Sequence, residues 1–320
     1  MNQTRLSYMA FAVALLSSVS GIANACSSCG CTLSSDWDSQ GYTVKPGMRF
    51  DLRYDYLNQN QLRTGTGKVD RGAITYPADR EIEEGTRNQY LTLGFDYNPN
   101  QDWGINIQIP YIHRPHSTIT ENETDVSTSK TTGLGDIRVV GRYQGFVDEK
   151  NVGIQFGLKL ATGSIHDTFK TGPEAGNPLD RGLQTGTGTT DLLLGLYHFG
   201  VLNQSWDYFA QGMLQFAINE RESYKPGTSL NLNGGFRYLL NDTVVPQIQV
   251  NAKTGKRDSG DNADRDNSGG TLVYLSPGVT VSVTKNLKAF GYIQLPVYQN
   301  VNGYQLAPRY TFSLGLRYSM

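Results

Sequence analysis

Apolar and polar side chains alternate with a period of two along most of the chain from residue 48 onward. In residues 48–56 the apolar side chains occupy the even positions and the charged ones the odd positions, from Met48 and Arg49 to Asp55 and Tyr56. This period predicts β-strands whose two faces meet different surroundings. Segments of the same kind follow at 91–97, 103–109, 137–143, 152–160, 190–199, 206–218, 230–238, 244–253, 279–283, 287–297 and 310–318. The pattern predicts about twelve strands, although three consecutive leucines, 192–194, leave the faces of one segment ambiguous.

The connections between these segments alternate in length. Short turns are expected at 98–101, 147–151, 201–204, 240–242 and 284–286, and longer polar connections at 58–87, 114–132, 162–187, 219–228, 254–270 and 299–307. Short periplasmic turns and long outer loops are typical of outer-membrane barrels, whereas a soluble sandwich gives no reason for the alternation. We therefore predict an all-β, up-and-down antiparallel transmembrane barrel over residues 48–320, with both of its ends in the periplasm.

Aromatic residues support this prediction because they fall in two bands at the expected strand ends. One band includes Trp103, Tyr143, Trp206 and Tyr238, and the other includes Tyr54, Tyr56, Tyr111 and Tyr310. Amphipathic rings favour the headgroup level of a bilayer, so the two bands are interpreted as aromatic girdles.

The N-terminus has the three parts of a secretory signal peptide. Arg5 precedes a short apolar run over residues 9–16, and Ala23-Asn24-Ala25 forms a small-residue cleavage site. We predict a signal peptide over residues 1–25, a periplasmic segment over 26–47, and then the barrel. The remaining chain has no apolar stretch long enough for a membrane-spanning helix.

Composition excludes some functions and fits this fold. The formal net charge is −1, which does not favour nucleic-acid binding. The 36 glycines and 19 tyrosines among 320 residues suit strands with one apolar and one polar face. Outer-membrane lipid and a small solute are the expected partners.

The chain has three cysteines, Cys26, Cys29 and Cys31, directly after the expected cleavage site. Three interpretations remain open. One disulfide could form in the oxidising periplasm, leaving a third thiol free or linked to a periplasmic protein partner. The cluster could instead bind a soft metal such as Cu(I) or Zn, or Cys26 could be lipidated.

A second group of candidate ligands lies in one expected outer loop. Its hard oxygen donors are Asp258, Asp261, Asp264 and Asp266. They would suit Ca²⁺, but the spacing is not that of an EF-hand, and a solvated loop is the competing interpretation. No activated serine motif occurs, so no catalytic residue is assigned and the protein is not expected to be an enzyme.

The polar face of the strands predicts which side chains line the lumen. The side chains predicted to line the lumen are Arg49, Arg53, Asp96, Arg138, Arg142, Lys159, Arg237, Lys253, Lys288, Arg309 and Arg317, with Asp51, Asp55, Asp136 and Asp207 as further acids. The basic excess predicts a narrow, weakly anion-selective pore. The alternative is a ladder of ion pairs that fills the lumen, with Arg53 pairing to Asp96.

Two short segments carry a family resemblance. Gly133-Leu134-Gly135-Asp136-Ile137, and residues 152–160 running into Ala161-Thr162-Gly163-Ser164, resemble the family named putative MetA-pathway of phenol degradation. The resemblance implies an outer-membrane barrel that transports small apolar or aromatic molecules. Together with the lumen charges, the sequence predicts a channel for the passive uptake of small polar, anionic or aromatic solutes. A structural barrel that docks a periplasmic partner or a metal through its cysteine segment is the alternative.

Overall fold

The computed structural model describes Thr43 and residues 45–320, so the expected signal peptide and the three cysteines lie outside the described residues. The described part contains two short 3-10 helices, Arg71–Ala73 and Arg181–Leu183, and no helix in it is long and apolar enough to cross a bilayer. Its strands are β1 (Gly47–Gly65), β2 (Gly67–Lys68), β3 (Ile82–Asn98), β4 (Trp103–Ile119), β5 (Ser127–Leu134), β6 (Arg138–Tyr143), β7 (Val152–Lys159), β8 (Asp191–Asn203), β9 (Trp206–Ala217), β10 (Ser229–Tyr238), β11 (Val244–Gly255), β12 (Gly270–Ser282) and β13 (Leu287–Ser319).

Eleven of these strands form a closed antiparallel ring. Pairing runs from β13 through β12 and the lower-numbered strands to β1, and β13 pairs with β1 to close the barrel. β2 pairs with β1. β6 pairs with the first half of β4, and β5 pairs with the second half of the same strand. β13 pairs antiparallel first with β12 and then with β1, so it reverses near Gly303, whose φ is +52°. The chain therefore passes along the wall twelve times, and the predicted barrel fold is confirmed.

The two ends of the barrel differ. At the turn end, the connections are 99–102, 144–151, 204–205, 239–243 and 283–286. Both ends of the barrel chain also meet there, where the Met320 N–H donates to the Met48 carbonyl at 2.9 Å. At the loop end, the larger connections are 69–81, 160–190, 218–228 and 256–269. The predicted alternation of long and short connections is confirmed.

Two predicted loops are shorter than expected. The region 58–87 is largely strand, because β1 continues to Gly65 and β3 begins at Ile82. The region 114–132 is a hairpin of β4 and β5 around a turn at 120–126. In β5 the inward residues Ser127, Ser129 and Thr131 are buried, yet the outward residues are also polar. The apolar–polar signal is absent there, which is why the alternation did not reveal this strand.

The outer wall carries exposed large apolar side chains on every ring strand except β6, whose residues are half-buried or buried. Leu52, Leu93, Leu196, Ile293 and Leu314 are each 46% to 66% exposed. Soluble monomers rarely expose contiguous apolar patches beyond a few hundred Å². At the turn end, the rings of Trp103 and Tyr143 lie 4.7 Å apart. The surface is that of a barrel solvated by lipid and bordered by aromatic residues.

Candidate functional site

The predicted lumen residues occupy the inner face of the barrel, with one exception. Buried members are Arg49, Arg53, Asp96, Arg142, Lys159, Lys253 and Arg317, and half-buried members are Arg138, Arg237 and Lys288. Arg309 is exposed, because β13 loses its register with β1 between Thr311 and Pro308. The irregular backbone there breaks the alternation on which that assignment depended.

Near the turn end, the inner face carries an ionic cluster of Arg49, Asp96 and Arg142. Asp96 is 0% exposed and accepts from Arg49 at 2.8 Å and from both terminal nitrogens of Arg142 at 2.5 and 3.0 Å. Arg142 also donates to Asn98 Oδ1 at 2.7 Å. The register places Arg49 opposite Asp96 and Arg53 opposite Thr92. The predicted pairing of Arg53 with Asp96 is therefore wrong.

The remaining predicted cations divide into paired and unpaired groups. Ion pairs join Arg53 to Asp55, Arg317 to Asp51, Arg237 to Asp207, and Lys159 to both Asp136 and Asp191. Among the described residues, Arg138 and Lys253 have no carboxylate partner within 4.0 Å. Part of the lumen is thus a ladder of ion pairs, and part of it keeps unneutralised positive charge.

Polar side chains fill the lumen beside the ionic cluster. Gln144 Nε2 donates to the carbonyls of Thr43 and Gln101 at 2.9 and 2.8 Å, and Tyr197 donates to Gln144 Oε1 at 2.7 Å. Asn98 also donates to the Thr43 carbonyl. These contacts bring Thr43, which precedes the barrel, against the turn-end mouth.

A cavity of about 250 Å³ occupies the lumen between this packed region and the loop end. Cationic side chains outnumber carboxylates on its wall by six to three: Arg53, Arg114, Arg138, Lys159, Arg181 and Lys253 against Asp136, Asp191 and Asp258. Two of these cations, Arg53 and Arg181, pair with Asp55 and Glu222, which do not line the cavity, so the net excess of positive charge is smaller than this count. A low-dielectric wall focuses the field of lining charges, so the remaining excess favours anions in the cavity.

Part of the cavity wall is apolar. Val140, Gly157 and Leu193 are in register across β6, β7 and β8. Each lies two residues along its strand, towards the turn end, from the row that Arg138, Lys159 and Asp191 form. Leu193 is buried, while Leu194 faces outward. The sequence could not separate these faces within three consecutive leucines, so the apolar strip was not predicted.

Residues 160–190, named here the inward loop, fold over the cavity. Arg114 holds this loop, because its guanidinium donates to the carbonyls of Gly182 and Gln184, each at 2.8 Å. The same guanidinium donates to Asn88 Oδ1 at 2.5 Å and to the Tyr90 hydroxyl at 2.9 Å. Arg114 was predicted to lie in a loop, so its role was missed.

Asp136 anchors the base of the inward loop. Its carboxylate accepts from Lys159 Nζ, from the Gly163 N–H and from the Thr187 N–H, each at 3.0 Å. Thr162 Oγ1 donates to the Gly135 carbonyl at 2.8 Å. The two segments that carried the family resemblance therefore contact each other, and their polar residues join the wall to the loop.

Carboxylates gather where the outer loops meet. Glu81, Glu83, Asp180 and Asp264 line a small cleft beside the inward loop. Burial, followed by repulsion from neighbouring carboxylates, raises the pKa of Glu81 to about 7 and the pKa of Asp180 to about 6. The Thr118 hydroxyl donates to Glu81 at 2.6 Å and partly offsets this effect.

The candidate calcium ligands do not converge. Asp258 is buried and accepts from the Tyr224 hydroxyl at 2.9 Å and the Gly227 N–H at 2.8 Å, while Asp261 and Asp266 extend into solvent. Asp264 instead accepts from Asn267. Over Thr43 and residues 45–320, no group of three or more histidine, cysteine or acidic side chains could hold a metal ion.

No protein-family model matches the sequence, and no curated protein matches it. The COG4313 outer membrane channel from Pseudomonas putida F1 aligns with a TM-score of 0.65 over 90% of this chain and 100% of that chain, at 12% identity. The CymD monoaromatic hydrocarbon channel aligns with a TM-score of 0.45 over 91% of this chain and 95% of that chain, at 10% identity. The first similarity shows the fold of an outer-membrane barrel, and no argument rests on the second. The resemblance to the phenol-degradation family stays a prediction.

Proposed function

We propose that this protein is a channel of the bacterial outer membrane for the passive passage of small polar, anionic or aromatic solutes. The observation that carries the proposal is a lumen cavity of about 250 Å³ inside a closed barrel whose outer wall is apolar. A wall of this kind is stable in lipid, and a polar lumen offers solutes a path across it. The matching fold belongs to a protein described as an outer membrane channel, which supports the same proposal.

The inward loop and the ionic cluster are the two constrictions along this path. The loop covers the cavity at the outer side, and the cluster fills the lumen at the periplasmic side. Solutes larger than the cavity are excluded, because the packed polar side chains at both constrictions leave little free width. The long-loop end then faces outside, as in other barrels of this kind.

Swelling of proteoliposomes tests this function. Vesicles that contain the refolded protein should swell in isosmotic arabinose or glycine faster than vesicles without protein. They should exclude a trisaccharide, which is larger than the cavity. Swelling no faster than in protein-free vesicles would contradict the proposal.

Docking of a periplasmic partner is the second candidate, favoured by the contacts of Thr43 at the turn-end mouth. They place Thr43, which follows Cys26, Cys29 and Cys31 in the sequence, at the turn end of the barrel. Replacement of all three cysteines by serine separates the two candidates. A channel keeps its swelling rate after this change, whereas a docking barrel loses a co-purifying periplasmic protein.

A further inference from the structure

We propose that the lumen cavity contains a binding site for a small monocarboxylate with an apolar, ring-sized body, and that Arg138 and Lys253 bind its carboxylate. This inference rests on the proposed channel function and names the class of solute that the channel favours. It follows from which charges on the cavity wall are already neutralised and which are not.

The three acids of the cavity wall are occupied by donors from the protein. Asp136 accepts from Lys159 and from the inward loop, and Asp191 accepts from Gln215 Nε2 at 2.5 Å and from Thr189 at 2.9 Å. Asp258 accepts from Tyr224 and Gly227. A solute cation would have to displace these donors, so the wall is a poor site for cations.

Arg138 and Lys253 are in the opposite situation. Arg138 makes one side-chain hydrogen bond, to the neutral Gln215 Oε1 at 3.1 Å. Lys253 makes no hydrogen bond and no ion pair within 4.0 Å with the described residues, although it is only 7% exposed, and its charge interacts with that of Asp258 at longer range. Because Asp258 already accepts from Tyr224 and Gly227, a carboxylate supplied by a solute would be a direct, charge-assisted acceptor for this ammonium.

The two cations approach the same part of the cavity. The Arg138 guanidinium reaches Gln215 on β9, which is in register with Ser229 on β10. Ser229 is in register with Gly255, two residues along β11 from Lys253. Arg138 and Lys253 both line the lumen cavity.

The rest of the wall suits an apolar body. Val140 and Leu193 lie two residues along their strands, towards the turn end, from Arg138 and Asp191. Ile112 and Met213 line the same cavity. The cavity of about 250 Å³ is smaller than the roughly 300–1,000 Å³ of pockets for drug-sized ligands, so one ring is a suitable size. A solute that carries a carboxylate on an apolar ring would contact both the cationic and the apolar parts of the cavity wall.

Binding of benzoate to the purified protein in detergent micelles, measured by calorimetry, tests this site without relying on transport. Benzyl alcohol has a similar ring without the charge, and acetate has the charge without the ring. We expect benzoate to bind at least tenfold more tightly than either. Equal binding of benzoate and benzyl alcohol to the unaltered protein would overturn the proposal, and this comparison needs no variant.

Variants then assign the residues. Arg138→Met and Lys253→Met should each weaken benzoate binding by about tenfold or more, since each removes a charge-assisted contact, and should leave benzyl alcohol binding unchanged. Lys256→Met removes the same charge from the exposed loop three residues away and should bind as the unaltered protein does. Lys253→Gln keeps a polar side chain and replaces Lys253→Met if the latter does not fold. Unchanged benzoate binding in both the Arg138 variant and the Lys253 variant would overturn the assignment of these two residues.

The two proposals fail separately. Benzoate binding without swelling of proteoliposomes would contradict the channel function and support the binding site. Swelling without benzoate binding would contradict the binding site and support the channel function.

Discussion

Neutralising Asp96 should destabilise the barrel more than neutralising any exposed carboxylate. Asp96 is 0% exposed and its carboxylate accepts from Arg49, Arg142 and Asn106. The Asp96→Asn variant leaves two guanidiniums next to a neutral amide. Removing one partner of a buried ion pair costs roughly 3–5 kcal/mol. Because Arg142 keeps Asn98 and Arg49 keeps the Lys45 carbonyl as acceptors, we expect the lower limit, about 3 kcal/mol.

The pair of Arg237 and Asp207 provides a matched control. It has similar geometry, with an N–O distance of 2.7 Å, but its side chains retain 19% and 12% exposure. Asp207→Asn should cost less than Asp96→Asn, because the Arg237–Asp207 pair keeps partial contact with water. Urea unfolding in lipid vesicles, followed by tryptophan fluorescence, measures both free energies of unfolding. A loss at Asp96 no larger than the loss at Asp207 would refute the reasoning that burial sets the cost.

Three further outcomes are expected. Arg114→Met removes the donors that hold the inward loop, so proteolysis within residues 160–190 should become faster, while β-sheet circular dichroism stays unchanged. The raised pKa values of Asp180 and Glu81 mean that protonation favours the packed outer loops, so the hydrogen-exchange protection factors of the inward loop, corrected for the intrinsic pH dependence of exchange, should be highest in acid and fall as pH rises towards about 7; protection factors that do not change with pH would contradict this. A membrane-impermeant thiol reagent should label Ser259→Cys on intact cells, and labelling only after the outer membrane is broken would reverse the orientation.

The barrel could be predicted from the sequence because the bilayer and the lumen impose different chemistry on the two faces of a strand. This difference predicts the strand segments that lie between the aromatic bands. Arg49, Arg142 and Lys159, which the alternation assigns to the inner face, are buried in the structure.

Outside the bilayer, strands carry no alternation of apolar and polar residues that could predict them. In β5 both faces are polar, since the outward side meets water there, and the strand was taken for a loop. The inward loop was missed for a different reason. Its position depends on Arg114 and Asp136, which contact residues 23 to 70 positions away in the sequence. Contacts at such separations leave no periodic pattern.

Pairing between charges was the least predictable part of the lumen. The alternation indicates which face a side chain occupies, but a shift of register by a few residues changes its partner. Asp96 pairs with Arg49 and Arg142, and the more distant Arg53 pairs on its own strand with Asp55. The register is determined by the whole sheet, so the net charge that a solute meets required the structure.

The reversal potential of the refolded protein in a planar bilayer, under a tenfold KCl gradient, tests the central claim most directly. Six cationic and three acidic side chains line the cavity, so we expect measurable single-channel currents and a reversal potential shifted towards that of chloride. Lys253→Met should reduce this shift, and Lys256→Met should not. Clear cation selectivity, or no current under conditions in which a control porin conducts, would contradict the account of this barrel as an anion-favouring channel.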